Sequence, residues 1–478
     1  MSRRGDYLVI VAVFAASRLL YHLLGLRFDA TPIRSFEQYA DPLLLRTDLA
    51  RTLLYLHVNP PLLNLAIGLA LKLFGSRFDL AMQALFLGFG AVLAVTSLAL
   101  MKALGVSSRL ALAVAIGVSI SPATLLFENW LYGDYLVAAL LVAAAWALHR
   151  YARSDRFWIA LAFCSLLAAV VYIRSLFSIY WMIVVLGVVL VSVPRPRRLA
   201  LAAVVPLFLV LALYGKNFYL FGAFTTATPP AGLQPLQMTT QQLSDAEVKR
   251  LVREGRLSEF ATLNPYTLSV RADLFSGAPT MGVPVTDQLV KSTGAENMNN
   301  LGFLKIWPKY ESDAVAVFRF KPTTFLKHEV AAWLLFFRPP SDYPVFSTAN
   351  RAATTTVVSV SNKVLYGQPR VSTAYGFPPD FALAKLGNRA LETGWLTVAV
   401  YLFLFAYAAK LLWSHFAGFS RADRVAILFM LATVAYIVLV GNVFEGVENN
   451  RLQFVADPLV ATVVAVATTR WWRRRLAP

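Results

Sequence analysis

Cysteine is almost missing from this chain: Cys164 is the only one in 478 residues, and it lies inside an apolar run. A single thiol excludes an intramolecular disulfide and a cysteine-built metal cluster. Charge is also scarce. Asp, Glu, Lys and Arg make up 15% of the residues, against about a quarter in soluble domains. Acids are scarcer than bases, 26 against 44. There is no GxxxxGK[ST] loop, no GxGxxG following a strand-like run and no D-x-D. Chemistry on soluble nucleotides is therefore not indicated, and a D-x-D metal site is not available.

What the chain has in quantity is apolar length. Hydrophobic residues are 58% of the total, and the mean hydropathy is +0.59. Runs such as "YLVIVAVFAASRLLYHLLG" and "YLVAALLVAAAWAL" approach the roughly 20 residues that a helix needs to cross a bilayer. The class that follows is an all-α polytopic membrane protein. The first run comes after "MSRRGDY". It is longer than a signal-peptide core, and "FAAS" is a poor cleavage site, so it reads as a retained helix.

Ten candidate spans fall at about 7–26, 79–101, 110–127, 132–149, 157–173, 175–193, 199–220, 394–413, 424–442 and 453–470. An eleventh apolar run, 61–75, is shorter and carries Lys72 near its end. Charge decides how to treat it. With ten spans and the N-terminus inside, the inner loops collect Lys102, Arg109, Arg150, Arg153, Arg195, Arg198, Arg421 and the closing "RWWRRR" from Arg470. That arrangement satisfies the positive-inside rule and accounts for the net charge of +18 without nucleic acid. A full span at 61–75 would invert every later loop. The run is therefore expected to be an amphipathic helix on the outer face, started by Pro60-Pro61.

This topology gathers polar chemistry outside. Asp29, Glu37, Asp41 and Asp48 fall in the first outer loop, Glu128 and Asp134 in the second, Arg174 in the third, and Glu445, Glu448 and Arg451 in the last. The chain divides into 1–221, a membrane module with acidic outer loops; 222–393, a long outer segment; and 394–478, the closing helices. The middle segment is rich in Pro, Gly, Ser, Thr and Asn, and it contains two helical signals. "SDAEVKRLVREG" has a capping-box spacing from Ser244 to Glu247. "TTFLKHEVAAWLLFF" (323–337) reads as a surface helix ending before Pro339-Pro340.

Each candidate site residue has a functional and a plain reading. Asp29, just past the first span, could take a proton from an acceptor hydroxyl, or cap a helix in solvent. Glu128 and Asp134 flank "NWLYG". They could orient an acceptor or offer oxygen ligands to Mg2+ or Mn2+, or be interfacial charges beside an aromatic belt. His57 in "LHVNPP" could meet a phosphate or hold a carboxylate, or be structural. Arg174 and Arg451 suit a phosphate, or snorkel to anchor a helix. Lys327 and His328 could meet a diphosphate or lipid head groups. No cofactor is certain from these residues.

The order of these features resembles the GT-C glycosyltransferases, in the branch near protein O-mannosyltransferases and lipid A aminoarabinose transferases. The carrying residues are "HVNPPLLNLAIGLALKLFG" in the first outer loop, "ENWLYGDYL", "KNFYLFGAFTTATPPAG" and the late "ENNRLQFVADPLV" from Glu448 to Pro458. They cover about 1–225 and 440–465. The resemblance implies a GT-C-like bundle and an inverting transferase that uses a polyprenyl-phosphate-linked sugar. It would work at the extracytoplasmic face of the plasma (inner) membrane on a cell-envelope glycan, lipid or protein. It places the catalytic aspartate at Asp29, with Asp41 as runner-up, and the second acidic position at Glu128 or Asp134. Donor phosphate would be held by Arg451 with Lys327 or His328. The competing classes are a transporter or lipid flippase, which would carry repeats and acids inside its spans, and a scaffold binding partners through 222–393.

Overall fold

The computed structural model describes residues 3–193, 195–367, 393–445 and 448–476, so part of the outer segment, 368–392, lies outside the described residues. Among the described residues the chain is α-helical without a β-strand; only two isolated bridges occur, Asp29 with Trp130 and Val290 with Glu296. In chain order the membrane module contains α1 (Arg3–Leu23), α2 (Pro32–Ser35), α3 (Pro42–Thr47), α4 (Leu49–Leu54), α5 (Pro61–Phe74), α6 (Phe78–Ala103), α7 (Ser108–Ile120), α8 (Pro122–Glu128), α9 (Gly133–Ser154), α10 (Phe157–Ile173), α11 (Ile179–Ser192) and α12 (Pro196–Phe221). The outer segment follows with α13 (Pro230–Met238), α14 (Asp245–Arg253), α15 (Pro284–Asp287), α16 (Phe303–Phe320), α17 (Pro322–Phe336) and α18 (Thr348–Ser361). The closing helices are α19 (Trp395–Trp413), α20 (Arg421–Phe444) and α21 (Asn449–Leu476).

A helix stands at each of the ten expected spans, but among the described residues seven helical stretches are long and apolar enough to cross a membrane, or eight if the bent pair α7–α8 is one span. The pair turns by 51° at Ser121-Pro122. Proline interrupts the ladder there, and the Ser121 hydroxyl accepts from the Thr124 amide at 3.2 Å to restart it. The two remaining helices, α10 and α11, are apolar but only 17 and 14 residues long. The run 61–75 forms α5, with Pro61 at its first turn, and continues through a 3-10 turn into α6. Its buried face packs on α3 and α10. Asn64 pins it there, accepting from the Ala40 amide at 2.9 Å and donating to the Gln38 carbonyl at 3.0 Å.

α9 is the axis of the bundle. Small and branched apolar residues run all the way round it, from Tyr135 to Leu148, and nearly all are buried. A helix apolar on every side belongs in the middle of a bundle; α6, α10, α20 and α21 pack around this one. By contrast, α1 and α12 expose Leu8, Leu19, Leu201, Val204 and Phe208, an apolar exterior fit for lipid.

The two ends of the bundle differ in chemistry. At one end basic loops are laced together: Lys102 with Asp6 at 2.5 Å, His149 with Asp423 at 3.0 Å, Arg198 with Asp155 at 2.9 Å, and Arg473 donating to the Gly105 carbonyl at 2.8 Å. The opposite end carries the N-terminus of α9, the C-terminus of α10 and the start of α21, with the outer segment packed over them.

That segment has its own small cores. α13 lies on α16 through Leu233, Leu236, Phe303 and Trp307, and Val58 of the first loop joins this cluster. Half of the expected capping box forms: Ser244 accepts from the Glu247 amide at 3.3 Å, but the Glu247 carboxylate pairs with Lys321 at 2.8 Å instead of turning back.

Candidate active site

Three helix ends meet below the outer segment. α9 begins at Gly133 with Tyr132 as its N-cap, α10 stops at Ile173 with Arg174 as its C-cap, and α21 places Arg451 in its first turn. Gly133 makes the approach feasible, because a Cβ there would come within 2.8 Å of Ile173 Cγ2 and 3.2 Å of Arg174 Cδ. Asp134 is the hub. Its buried carboxylate pairs with Arg174 Nε at 2.9 Å and with Arg451 Nε at 3.2 Å. Arg451 Nη2 also meets Glu448 at 2.5 Å, and Arg451 Nη1 donates to the Tyr132 hydroxyl. Both guanidiniums sit against the Tyr132 ring, 4.9 and 4.8 Å from its centre. The ring itself stacks on Trp130 at 4.2 Å. Tyr343 donates to Glu448 at 2.6 Å.

A cavity of about 1260 Å3 opens over this cluster, lined by Arg174, Arg451, Glu448, Tyr132, Glu37 and Tyr266 among others. Glu37 is the acid that the first loop turns toward it. Burial, with the like charge of Glu448 adding to it, raises the Glu37 carboxyl above the ordinary carboxylate range, while Lys291 and Arg451 oppose the shift. Lys291 Nζ donates to the Phe36 carbonyl at 2.7 Å and so fixes the backbone beside Glu37.

The residues singled out from the sequence are distributed unevenly. Arg174, Arg451 and Glu448 line the cavity, and Asp134 lies behind the two arginines. Asp29, Asp41, Glu128, His57, Lys327 and His328 do not line it. Asp29 accepts from the Thr31 amide at 2.9 Å and the Thr31 hydroxyl at 2.6 Å, and its backbone pairs with Asn129 and Leu131. It is a turn-forming side chain in this geometry. Asp41 caps α3 through the Leu43 amide at 2.8 Å and clasps Ser292 of the outer segment through amide and hydroxyl, each at 2.5 Å. Glu128 is held inside the bundle by Arg18, which reaches both carboxylate oxygens at 2.9 and 2.8 Å, and by the Tyr135 hydroxyl.

His57 is buried between Thr228, 2.8 Å from Nδ1, and the Asn299 carbonyl, 3.0 Å from Nε2. Burial lowers its pKa to about 4. A neutral ring with its proton on Nε2 satisfies both neighbours, so His57 ties the first loop to the "TPP" stretch and the outer segment. Lys327 is exposed on α17 and His328 is buried in the same helix. Among the described residues no group of three or more His, Cys, Asp or Glu could hold a metal ion. Glu128 and Asp134 face arginines instead, a donor set that does not fit Mg2+ or Mn2+.

Glu37 is one acid of four in its loop, with nothing local to rank it. Arg18, a cation inside the first apolar run, points to a buried partner, since a charge within a span calls for one; that partner is Glu128, outside the cavity.

No protein-family model matches the chain, and no curated protein matches it. Among solved structures it is similar to ArnT from Cupriavidus metallidurans, crystallised with undecaprenyl phosphate: 14% identity over 97% of this chain and 78% of that one, at a TM-score of 0.37. At that score the likeness carries no weight for chemistry, which must come from the site's own geometry.

Proposed function

We propose that the protein is an integral-membrane glycosyltransferase that takes a sugar from a polyprenyl-phosphate-linked donor and passes it to a cell-envelope acceptor on the extracytoplasmic side. One observation carries this reading. Two buried arginines from separate helix ends line a roomy cavity, held by one shared aspartate, and a carboxyl of raised pKa faces the same space. Arginine forks bind a phosphate group well. Their preorganisation by Asp134 and Tyr132 spares them reorganisation as charge develops on the leaving group.

Glu37, not Asp29 or Asp41, is the base in this mechanism. An acceptor hydroxyl gives its proton to the Glu37 carboxylate as its oxygen bonds to the anomeric carbon. The bond from that carbon to the phosphate oxygen breaks, and the lipid phosphate leaves as an anion against Arg174 and Arg451. The distribution of basic loops at the far end of the bundle supports an extracytoplasmic cavity.

The test uses purified protein in nanodiscs with a radiolabelled short-chain polyprenyl phosphate hexose and a detergent extract of envelope acceptors. Transfer of label is expected. An absence of donor binding, or lipid translocation without any transfer, would overturn the reading, the latter in favour of a flippase.

A further inference from the structure

Beside the large cavity lies a second one of about 350 Å3, at the lower end of ligand-sized clefts, roughly 300–1,000 Å3. Glu37 and Tyr266 line both spaces, so the wall between them includes the proposed base. The two cavities differ in their cations. The large one mixes Arg174, Lys249 and Arg451 with the acids Glu37, Asp245, Glu445 and Glu448. The small one presents Glu37, Glu296 and the hydroxyl residues Ser35, Thr267 and Ser269, with no Lys or Arg among its lining residues.

Glu296 is firmly placed. Its carboxylate accepts from the Ser269 amide at 2.9 Å and the Ser269 hydroxyl at 3.0 Å, and its backbone bridges to Val290. The turn between them is tightened by the Lys291 amide donating to the Ala295 carbonyl at 2.8 Å, with Gly294 at φ +83°. The nearest cation of that turn, Lys291, spends its ammonium on the Phe36 carbonyl and does not line the space. A phosphate entering here would face two carboxylates with no cation lining the space, whereas a sugar hydroxyl or an amine would find acceptors.

We propose that the small cavity is the acceptor subsite, and that it admits a neutral or cationic polyhydroxylated group while rejecting a phosphorylated one. The assignment rests on the transferase reading above, with Glu37 as base. The acceptor enters through the small cavity and presents one hydroxyl to Glu37. The donor sugar reaches the same carboxylate from the arginine side. The small cavity selects its substrate by charge, and the arginine pair of the large one holds the donor phosphate.

The test is photolabelling of the full chain in nanodiscs with a diazirine-bearing methyl hexoside and, separately, its 6-phosphate, with cross-links mapped by mass spectrometry. The neutral probe is expected to label 266–270 and 294–298 at least tenfold more than the phosphate does. T267W, at an exposed lining position, should cut that labelling about tenfold while leaving donor binding and the melting temperature unchanged. V270W, on the same rim, provides a second reading. Equal labelling by both probes, or labelling that neither variant reduces, would overturn the subsite. Labelling as expected without any consumption of the polyprenyl donor would instead overturn the transferase reading and leave a glycan-binding pocket.

Discussion

At the scale of single residues, the site depends on how buried charges are compensated. Asp134 holds two arginines, and removing one member of a buried ionic group leaves the others uncompensated at a cost of about 3–5 kcal/mol. D134A should therefore lower the melting temperature strongly in detergent, and a stable D134A protein would show that the cluster is more solvated than its burial implies. Glu37 is different, because it faces the cavity and carries no packing role comparable to that of Asp134. E37Q should fold and bind donor normally but lose about 10²–10⁴-fold in turnover, the usual share of a general base. D29N, at a turn outside the cavity, should retain most of its turnover; a loss as deep as that of E37Q would return the base to Asp29. Of these residues, Arg174 and Arg451 were legible in the sequence as interfacial arginines, because a guanidinium at a helix end next to lipid has few plain roles. Glu37 was not, since its neighbours Arg451 and Lys291 lie hundreds of residues away.

At the scale of elements, the apolar runs translate into helices almost segment by segment, and the Pro-marked start of α5 is where the sequence places it, whereas Pro122 breaks the single span expected at 110–127. Hydropathy and proline act locally, so this level is readable. What was not readable is how closely the elements approach. G133A should force Ile173 and Arg174 away from the α9 N-terminus, because the new methyl lies 2.8 Å from Ile173 Cγ2. Overpacking of this kind costs about 1–3 kcal/mol. The expected signature is a lower melting temperature together with weaker donor binding, since Arg174 moves too. Unchanged donor binding would mean that Arg174 is not a phosphate ligand. The first outer loop gives a second example. His57, Asp41 and Lys291 each join that loop to the outer segment, which makes 222–367 the roof of the cavity by contact rather than a separate appendage.

At the scale of the whole molecule, pH acts through that roof. His57 has a folded pKa of about 4 against an ordinary value near 6.5. Between these values the unfolded chain binds the extra proton, so stability rises with pH and is complete above about 6.5. Acidification from pH 6.5 toward 4.5 should lower the melting temperature, and H57Q should flatten that dependence; an equally steep profile in H57Q would locate the titration elsewhere. Orientation is the other whole-molecule property. Reporter fusions at 155 and at 296 should report opposite sides, with 155 cytoplasmic, and the same side for both would remove the extracytoplasmic cavity.

By itself the amino-acid sequence determined the solvent and the scaffold: scarce charge and long apolar runs require a bilayer, and the Lys and Arg of the short loops choose an end. These are properties of local composition, summed along the chain, and need no knowledge of contacts. Only the tertiary structure decided what each acid meets. Asp29, Asp41, Glu37, Glu128 and Asp134 are alike as residue types, yet one turns a loop, one clasps a roof, one faces a cavity, one balances Arg18 and one holds two arginines. The energy of a carboxylate is set by burial and by the charges within a few ångströms, and those neighbours come from distant parts of the chain.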